Sequence, residues 1–168
     1  VRLARAVARE LQLSEAEVGV VSFAASIHDV GMGAVGEKVT RGANALTDEE
    51  RAAVQLHPER GAELLRPLET MGVVRDVVLS HHEWWDGSGY PRGLAGETIP
   101  IGGRILAVVD AFESMTVGRA HRAALAPPEA IAELEKLKGA QFDPQVVEAF
   151  GRAWAEFEKQ KSESAPDA

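Results

Sequence analysis

Apolar residues recur at helical spacing along nearly the whole chain, and no stretch keeps the period of two that a half-buried strand requires. Leu3, Val7 and Leu11 mark one face over residues 1–12. Ser14-x-x-Glu17 and Thr47-x-x-Glu50 both have the form of a capping box, in which each partner satisfies a backbone N–H of the other. They open helices running to about His28 and toward His57. Pro58 has no N–H, so it either kinks that helix or begins a new one through Leu64 and Leu65. Val74, Val77 and Val78 mark a short helix over residues 72–82, and Ile105, Leu106, Val109 and Phe112 mark another. Pro127-Pro128 starts a helix that Gly139 ends, and Pro144 starts the last one. The fold class expected is all-α, a helical bundle.

Two interruptions stand out. Residues 31–46 are glycine-rich and irregular. Residues 86–103 hold six of the sixteen glycines together with Pro91 and Pro100. A loop that long inside a compact domain is usually functional.

Composition narrows the chemistry. With 168 residues the chain is one domain's length, enough to bury a core without covalent staples. It contains no cysteine, which excludes a disulfide scaffold, a cysteine zinc site and a thiol nucleophile. Any metal must be held by His, Asp and Glu. The net charge of −8 argues against a nucleic-acid polymer as partner, because no basic surplus exists to release counterions. No apolar run reaches membrane-spanning length and no signal peptide is evident, so a cytoplasmic location is expected.

The histidines carry the most specific signal. His28 is followed by Asp29 at a helix end, His57 stands just before Pro58, and His81-His82-Glu83 precedes the glycine loop. Asp110 interrupts the apolar run Ile105–Phe112 and needs a partner there. A divalent cation would serve, as would helix capping or an ion pair with Arg104. Asp29 has two oxygens, so it can share one cation with His28 or bridge two.

Taken together, His28-Asp29, the HxxxG of His57–Gly61, HHEWWDGSGYPRGLAG at 81–96 and ILAVVDAFESMT around Asp110 closely resemble the HD-GYP family. The resemblance runs from about Leu3 to about Phe150. It implies an all-helical domain over residues 1–160, shortened at its N-terminus, while residues 161–168 read by composition as a disordered tail. It also implies a phosphodiesterase that opens cyclic di-GMP to the linear dinucleotide pGpG or onward to GMP. The family's centre holds two or three divalent ions, iron or manganese. His28 and Asp29 would be ligands, with Asp29 bridging; His57, His81 and His82 would hold one ion and Asp110 the other. Chemistry would centre on His28, Asp29 and Asp110. Asp86, Gly89, Tyr90 and Pro91 would shape the substrate side, and Arg119 and Arg122 would meet the phosphates. Diguanylate cyclase (GGDEF) domains are implied as partners of the GYP loop, and a receiver or sensor domain upstream.

Three departures bear on activity. Met32 stands where the family's HD motif continues with lysine, and methionine brings neither charge nor proton. The segment after Asp110 reads Gly118-Arg119-Ala120-His121-Arg122, keeping the arginines but not the family's proline and tyrosine. The family's further histidine ligand lies on a helix upstream of the HD motif, at positions that would fall before Val1; no histidine precedes His28 here, so either that segment is cut short or the ligand is missing. Two readings follow: a cyclic dinucleotide phosphodiesterase, or a module that binds cyclic di-GMP or a cyclase domain without turnover.

Overall fold

The computed structural model describes residues 1–35, 46–117 and 123–163. Among the described residues eight α-helices follow one another: α1 (Arg2–Glu10), α2 (Glu15–Ile27), α3 (Asp48–Gln55), α4 (His57–Leu65), α5 (Gly72–Ser80), α6 (Ile101–Thr116), α7 (Pro127–Lys136) and α8 (Pro144–Glu163). Short 3-10 turns span Val30–Ala34, Glu69–Met71 and Gly96–Thr98. No strand occurs among the described residues, where an isolated bridge joins Lys138 to Phe142. The all-α expectation is borne out.

Helix α6 is the axis of the domain and packs against α1, α2, α5, α7 and α8. Its Ile105, Val108 and Phe112 meet Val7, Val21, Val78, Val146 and Phe150 in one continuous core. Phe112 lies against both Phe150 and Trp154, with ring centroids 4.8 Å apart in each pair. Burial of such side chains is worth roughly 1.5–3 kcal/mol each, so this seam dominates the bundle's stability.

Both capping boxes form. The Glu17 N–H donates to Ser14 Oγ at 3.3 Å, and the Ser14 N–H donates to Glu17 Oε2 at 2.8 Å. At Thr47 the corresponding distances are 3.2 and 2.9 Å. Pro58 belongs to a new helix: α3 stops at Gln55, Leu56 is the junction, and proline occupies the first turn of α4, where a missing N–H costs nothing.

The structure differs from the sequence expectation in two places. The loop is shorter than 86–103, because α6 begins at Ile101 and takes in Gly102 and Gly103. A Cβ on Gly102 would lie 2.6 Å from Val77 Cγ2, and one on Gly103 would lie 2.3 Å from Ser80 Oγ. These glycines let α5 and α6 cross closely, a demand set by packing and not by local turn chemistry. Helix α8 also continues through Glu163, into the segment expected to be tail. Residues 164–168, with Arg119, His121 and Arg122, lie outside the described residues.

Candidate metal centre

Three histidines reach the centre by the same local device. His28 and His81 sit at the C-terminal ends of α2 and α5, and His57 follows the end of α3. Each ring turns back on its own chain. His28 Nδ1 lies 3.1 Å from the Ala25 carbonyl, His57 Nδ1 2.7 Å from Val54, and His81 Nδ1 2.6 Å from Val78. A carbonyl only accepts, so each Nδ1 carries the proton and each Nε2 presents a lone pair. The last-turn carbonyls of a helix lack intrahelical partners, which is why histidine suits these positions.

The three lone pairs converge. His57 Nε2 and His81 Nε2 are 3.1 Å apart with both rings almost wholly buried. His82 joins them: one ligand atom from each of His57, His81 and His82 lies within 4.8 Å of the others. His28 Nε2 is buried and has no hydrogen-bond partner among the described residues. Lone pairs facing one another at such distances repel, and a buried unsatisfied acceptor costs about 1–3 kcal/mol. A cation between them removes both penalties.

The carboxylates stand where such a cation would need them. Asp29 Oδ1 is 3.3 Å from His57 Nε2, while Asp29 Oδ2 is 3.5 Å from His28 Nε2. One carboxylate therefore addresses two imidazoles with separate oxygens. Asp110, on α6, brings Oδ1 to 3.7 Å from His28 Nε2. Arg104 is not its partner: that guanidinium donates to Asp143 Oδ2 at 2.7 Å and to the Ile99 carbonyl at 2.9 Å. The ion-pair alternative for Asp110 is thus overturned, because Arg104 lies nearly two helical turns before it and faces the start of α8. The groups fall into two sets that share Asp29: His57, His81 and His82 on one side, His28 and Asp110 on the other.

Electrostatics split the imidazoles into two kinds. Burial pushes His81 down to about 4, and burial with the neighbouring imidazoles pushes His82 down to about 3, so both are neutral donors at pH 7. His28 behaves oppositely: burial works against its charge, but Asp110 and Asp29 outweigh burial and raise its pKa. Burial alone would raise Asp110, yet the His28 imidazole beside it holds the carboxyl below the usual range. Nitrogen and oxygen donors without thiolate suit iron, manganese or zinc. The residues present fit a divalent centre.

The GYP loop closes one side of this cluster. Tyr90 stacks on His82 with centroids 4.9 Å apart, and its N–H donates to the His82 carbonyl at 3.1 Å. Burial, with Asp110 and Asp29 nearby, pushes the phenol up to about 12, so it stays protonated. Gly89 permits the approach, since a Cβ there would fall 2.2 Å from the Trp84 nitrogen. Glu83 faces away from the imidazoles. Buried at 2 % exposure, it accepts the Arg92 N–H at 2.7 Å and the Leu94 N–H at 2.9 Å. The Tyr90–Pro91 bond is cis. Asp86 is exposed and receives the Ser88 N–H and hydroxyl at 2.9 and 2.6 Å, closing an Asx-turn.

Of the residues picked from sequence, His28, Asp29, His57, His81, His82 and Asp110 come together, with Tyr90 against them. Met32 occupies the 3-10 turn just after Asp29, its N–H donating to the Asp29 carbonyl at 2.8 Å. Sequence reasoning missed how this turn is seated. A Cβ on Gly31 would lie 2.0 Å from the His57 carbonyl oxygen and 2.6 Å from the Gly61 nitrogen. The glycine of HxxxG is the readable half of that contact. It also missed the Arg104–Asp143 pair, for which Asp-Pro at a helix start was the available signal.

Residues 1–146 match the family described as HD domain. The cyclic di-GMP phosphodiesterase response regulator RpfG of Xanthomonas campestris pv. campestris is 39% identical over 155 residues, which cover 91% of this chain and 41% of that protein. The 3'3'-cGAMP-specific phosphodiesterase 2 of Vibrio cholerae is 36% identical over 147 residues, covering 86% and 28%. The chain therefore spans less than half the length of these relatives. Among solved structures, the HD-GYP-type protein Bd1817 of Bdellovibrio bacteriovorus superposes with a TM-score of 0.74 at 17% identity, covering 91% of this chain and 49% of that one, a likeness of fold. With the HD pair, the convergent imidazoles and the GYP loop in one bundle, the chain belongs to the HD-domain family and is of its HD-GYP type.

Proposed function

We propose that this domain is a metal-dependent phosphodiesterase that hydrolyses cyclic di-GMP to pGpG or GMP in the cytoplasm of a bacterium. The observation that carries the reading is Asp29, whose two oxygens address different imidazoles while His28 Nε2, without a hydrogen bond among the described residues, and the His57–His81 pair face the same space. His57, His81 and His82 would hold one ion and His28 with Asp110 the other, Asp29 bridging; iron or manganese is the favoured metal, with two ions or three. Such ions supply Lewis acidity at the phosphoryl group and an activated water at neutral pH.

The chain's own groups do the rest. Hydrogen bonds to Ala25, Val54 and Val78 keep three rings aimed inward without relying on the metal. Tyr90 steadies His82 by stacking and offers a neutral phenol beside the phosphate. Asp86, Gly89 and Pro91 shape the same side through the loop backbone. Arg119 and Arg122 would neutralise phosphate oxygens as charge builds in the transition state. A receiver or sensor domain would set the input, and a GGDEF domain would dock on the GYP loop. The names of the relatives support the substrate class.

The test is anaerobic expression, metal analysis and chromatography of products after incubation with cyclic di-GMP. Two or more ions per chain with pGpG or GMP formed is expected; a metal-loaded protein inert toward every cyclic dinucleotide would overturn the reading.

A second reading, binding without turnover, is favoured by Met32, which supplies no donor next to Asp29. Met32→Lys is expected to raise the hydrolysis rate at least tenfold, the scale of one added transition-state contact. An unchanged rate would remove Met32 as a handicap.

A further inference from the structure

Beside the imidazole cluster lies a cavity of about 300 Å³ whose wall includes His81, His82 and Asp110. It therefore opens directly from the proposed metal centre. Ligand sites span roughly 300–1,000 Å³, so this cavity takes part of a dinucleotide and not the whole.

Its far side is built from different chemistry. Trp84 is an exposed large aromatic at 38 % exposure, and its indole lines the cavity. Met115 and Phe142 add a polarisable thioether and a second, buried ring. Gln141 also lines it, and its side-chain amide makes no hydrogen bond among the described residues. Two backbone bonds hold Gln141 and Trp84 on the same wall. The Trp85 N–H donates to the Gln141 carbonyl at 3.0 Å, and the Asp86 N–H donates to Ala140 at 2.9 Å. The loop that carries Tyr90 is thereby stitched to the turn between α7 and α8.

We propose that this cavity is a purine subsite, in which Trp84 stacks on one nucleobase of the substrate and the Gln141 amide reads its edge. The inference rests on the dinucleotide phosphodiesterase reading and names the residues that select the base. A flat ring against an exposed indole gains stacking energy that tolerates any base. An amide offers one donor and one acceptor side by side, which matches the O6/N1–H edge of guanine and the N7/N6–H edge of adenine. Trp84 thus supplies affinity and Gln141 supplies direction. The phosphate of that nucleotide lies toward His81, His82 and Asp110, the wall the cavity shares with the imidazole cluster.

The experiment uses the metal-loaded chain, GMP as binding probe, and two substrates, cyclic di-GMP and the baseless diester bis(p-nitrophenyl) phosphate. GMP is expected to quench tryptophan fluorescence, and Trp84→Phe is expected to abolish the quench although two other tryptophans, Trp85 and Trp154, stay in place. Trp84→Ala is expected to raise the GMP Kd and the cyclic di-GMP KM about tenfold or more, with Trp84→Phe restoring most of the loss because a phenyl ring still stacks. Gln141→Leu is expected to raise both about tenfold. In each variant the loss on cyclic di-GMP exceeds the loss on the baseless diester at least fivefold. Equal losses on both substrates, or a quench that survives Trp84→Phe, would overturn the subsite and leave the phosphodiesterase reading standing. A wild-type chain that binds no cyclic dinucleotide yet cleaves the baseless diester would overturn both.

Discussion

The helix ends that carry His28, His57 and His81 and the loop of residues 83–99 meet at one site but are held in different ways. Each imidazole is oriented by a carbonyl three residues back in its own chain. The loop is oriented from a distance, by Glu83 gripping Arg92 and Leu94, by Trp85 and Asp86 bonding to the α7–α8 turn, and by Arg104 joining Ile99 to Asp143. Local hydrogen bonds survive small shifts of the bundle, so the inward-facing lone pairs are preset by short segments. Long-range ones need the bundle in place, so the loop can be loosened separately from the imidazoles.

Four substitutions sharpen that contrast. Asp29→Ala has the largest expected effect, because one carboxylate addresses both halves of the cluster: metal content by elemental analysis is expected to fall to near zero while the helical circular dichroism is kept. Metal content unchanged by this substitution would count against the site. Gly31→Ala places a methyl against the His57 carbonyl. It is expected to destabilise by about 3 kcal/mol in urea unfolding. A stability loss under about 0.5 kcal/mol would show that the turn after Asp29 yields easily.

Glu83→Gln replaces one accepting oxygen with an N–H2 facing a backbone donor, at a cost of about 2 kcal/mol. Proteolysis should then accelerate within residues 86–98 while metal content is kept. A parallel loss of metal would break the comparison, because loop and cluster would then be one unit. Ser14→Ala removes a cap far from the site and is expected to cost about 1 kcal/mol, with no change in metal content. Metal loss there would mean that α2 transmits its fraying to His28.

Much of this was legible in advance because it is local. The capping boxes and the helical periods depend on residues a few positions apart and appear as read, while Pro58 leaves a kink and a new helix equally open and the structure decides for the new helix. The six clustered residues were legible through the family resemblance; Asp110 alone, in an apolar run, admitted an Arg104 partner as readily as a cation. Gly102 and Gly103 were misread as loop because glycine's local preference for turns hides its other use, which is to let two helices touch. Glu83 was noticed beside the histidines, yet nothing in its spacing shows that it points the other way.

Amino-acid order alone determined most of the helices, the capped starts of α2 and α3 and the histidines placed at helix ends, since turns, caps and i−3 bonds are energies of neighbours. Only the packed bundle decided which lone pairs face each other, that Asp29 divides its oxygens between two imidazoles, and that Trp84 and Gln141 share a wall. Those are contacts between segments tens of residues apart, and their energy exists only once α5, α6 and the loop are in place.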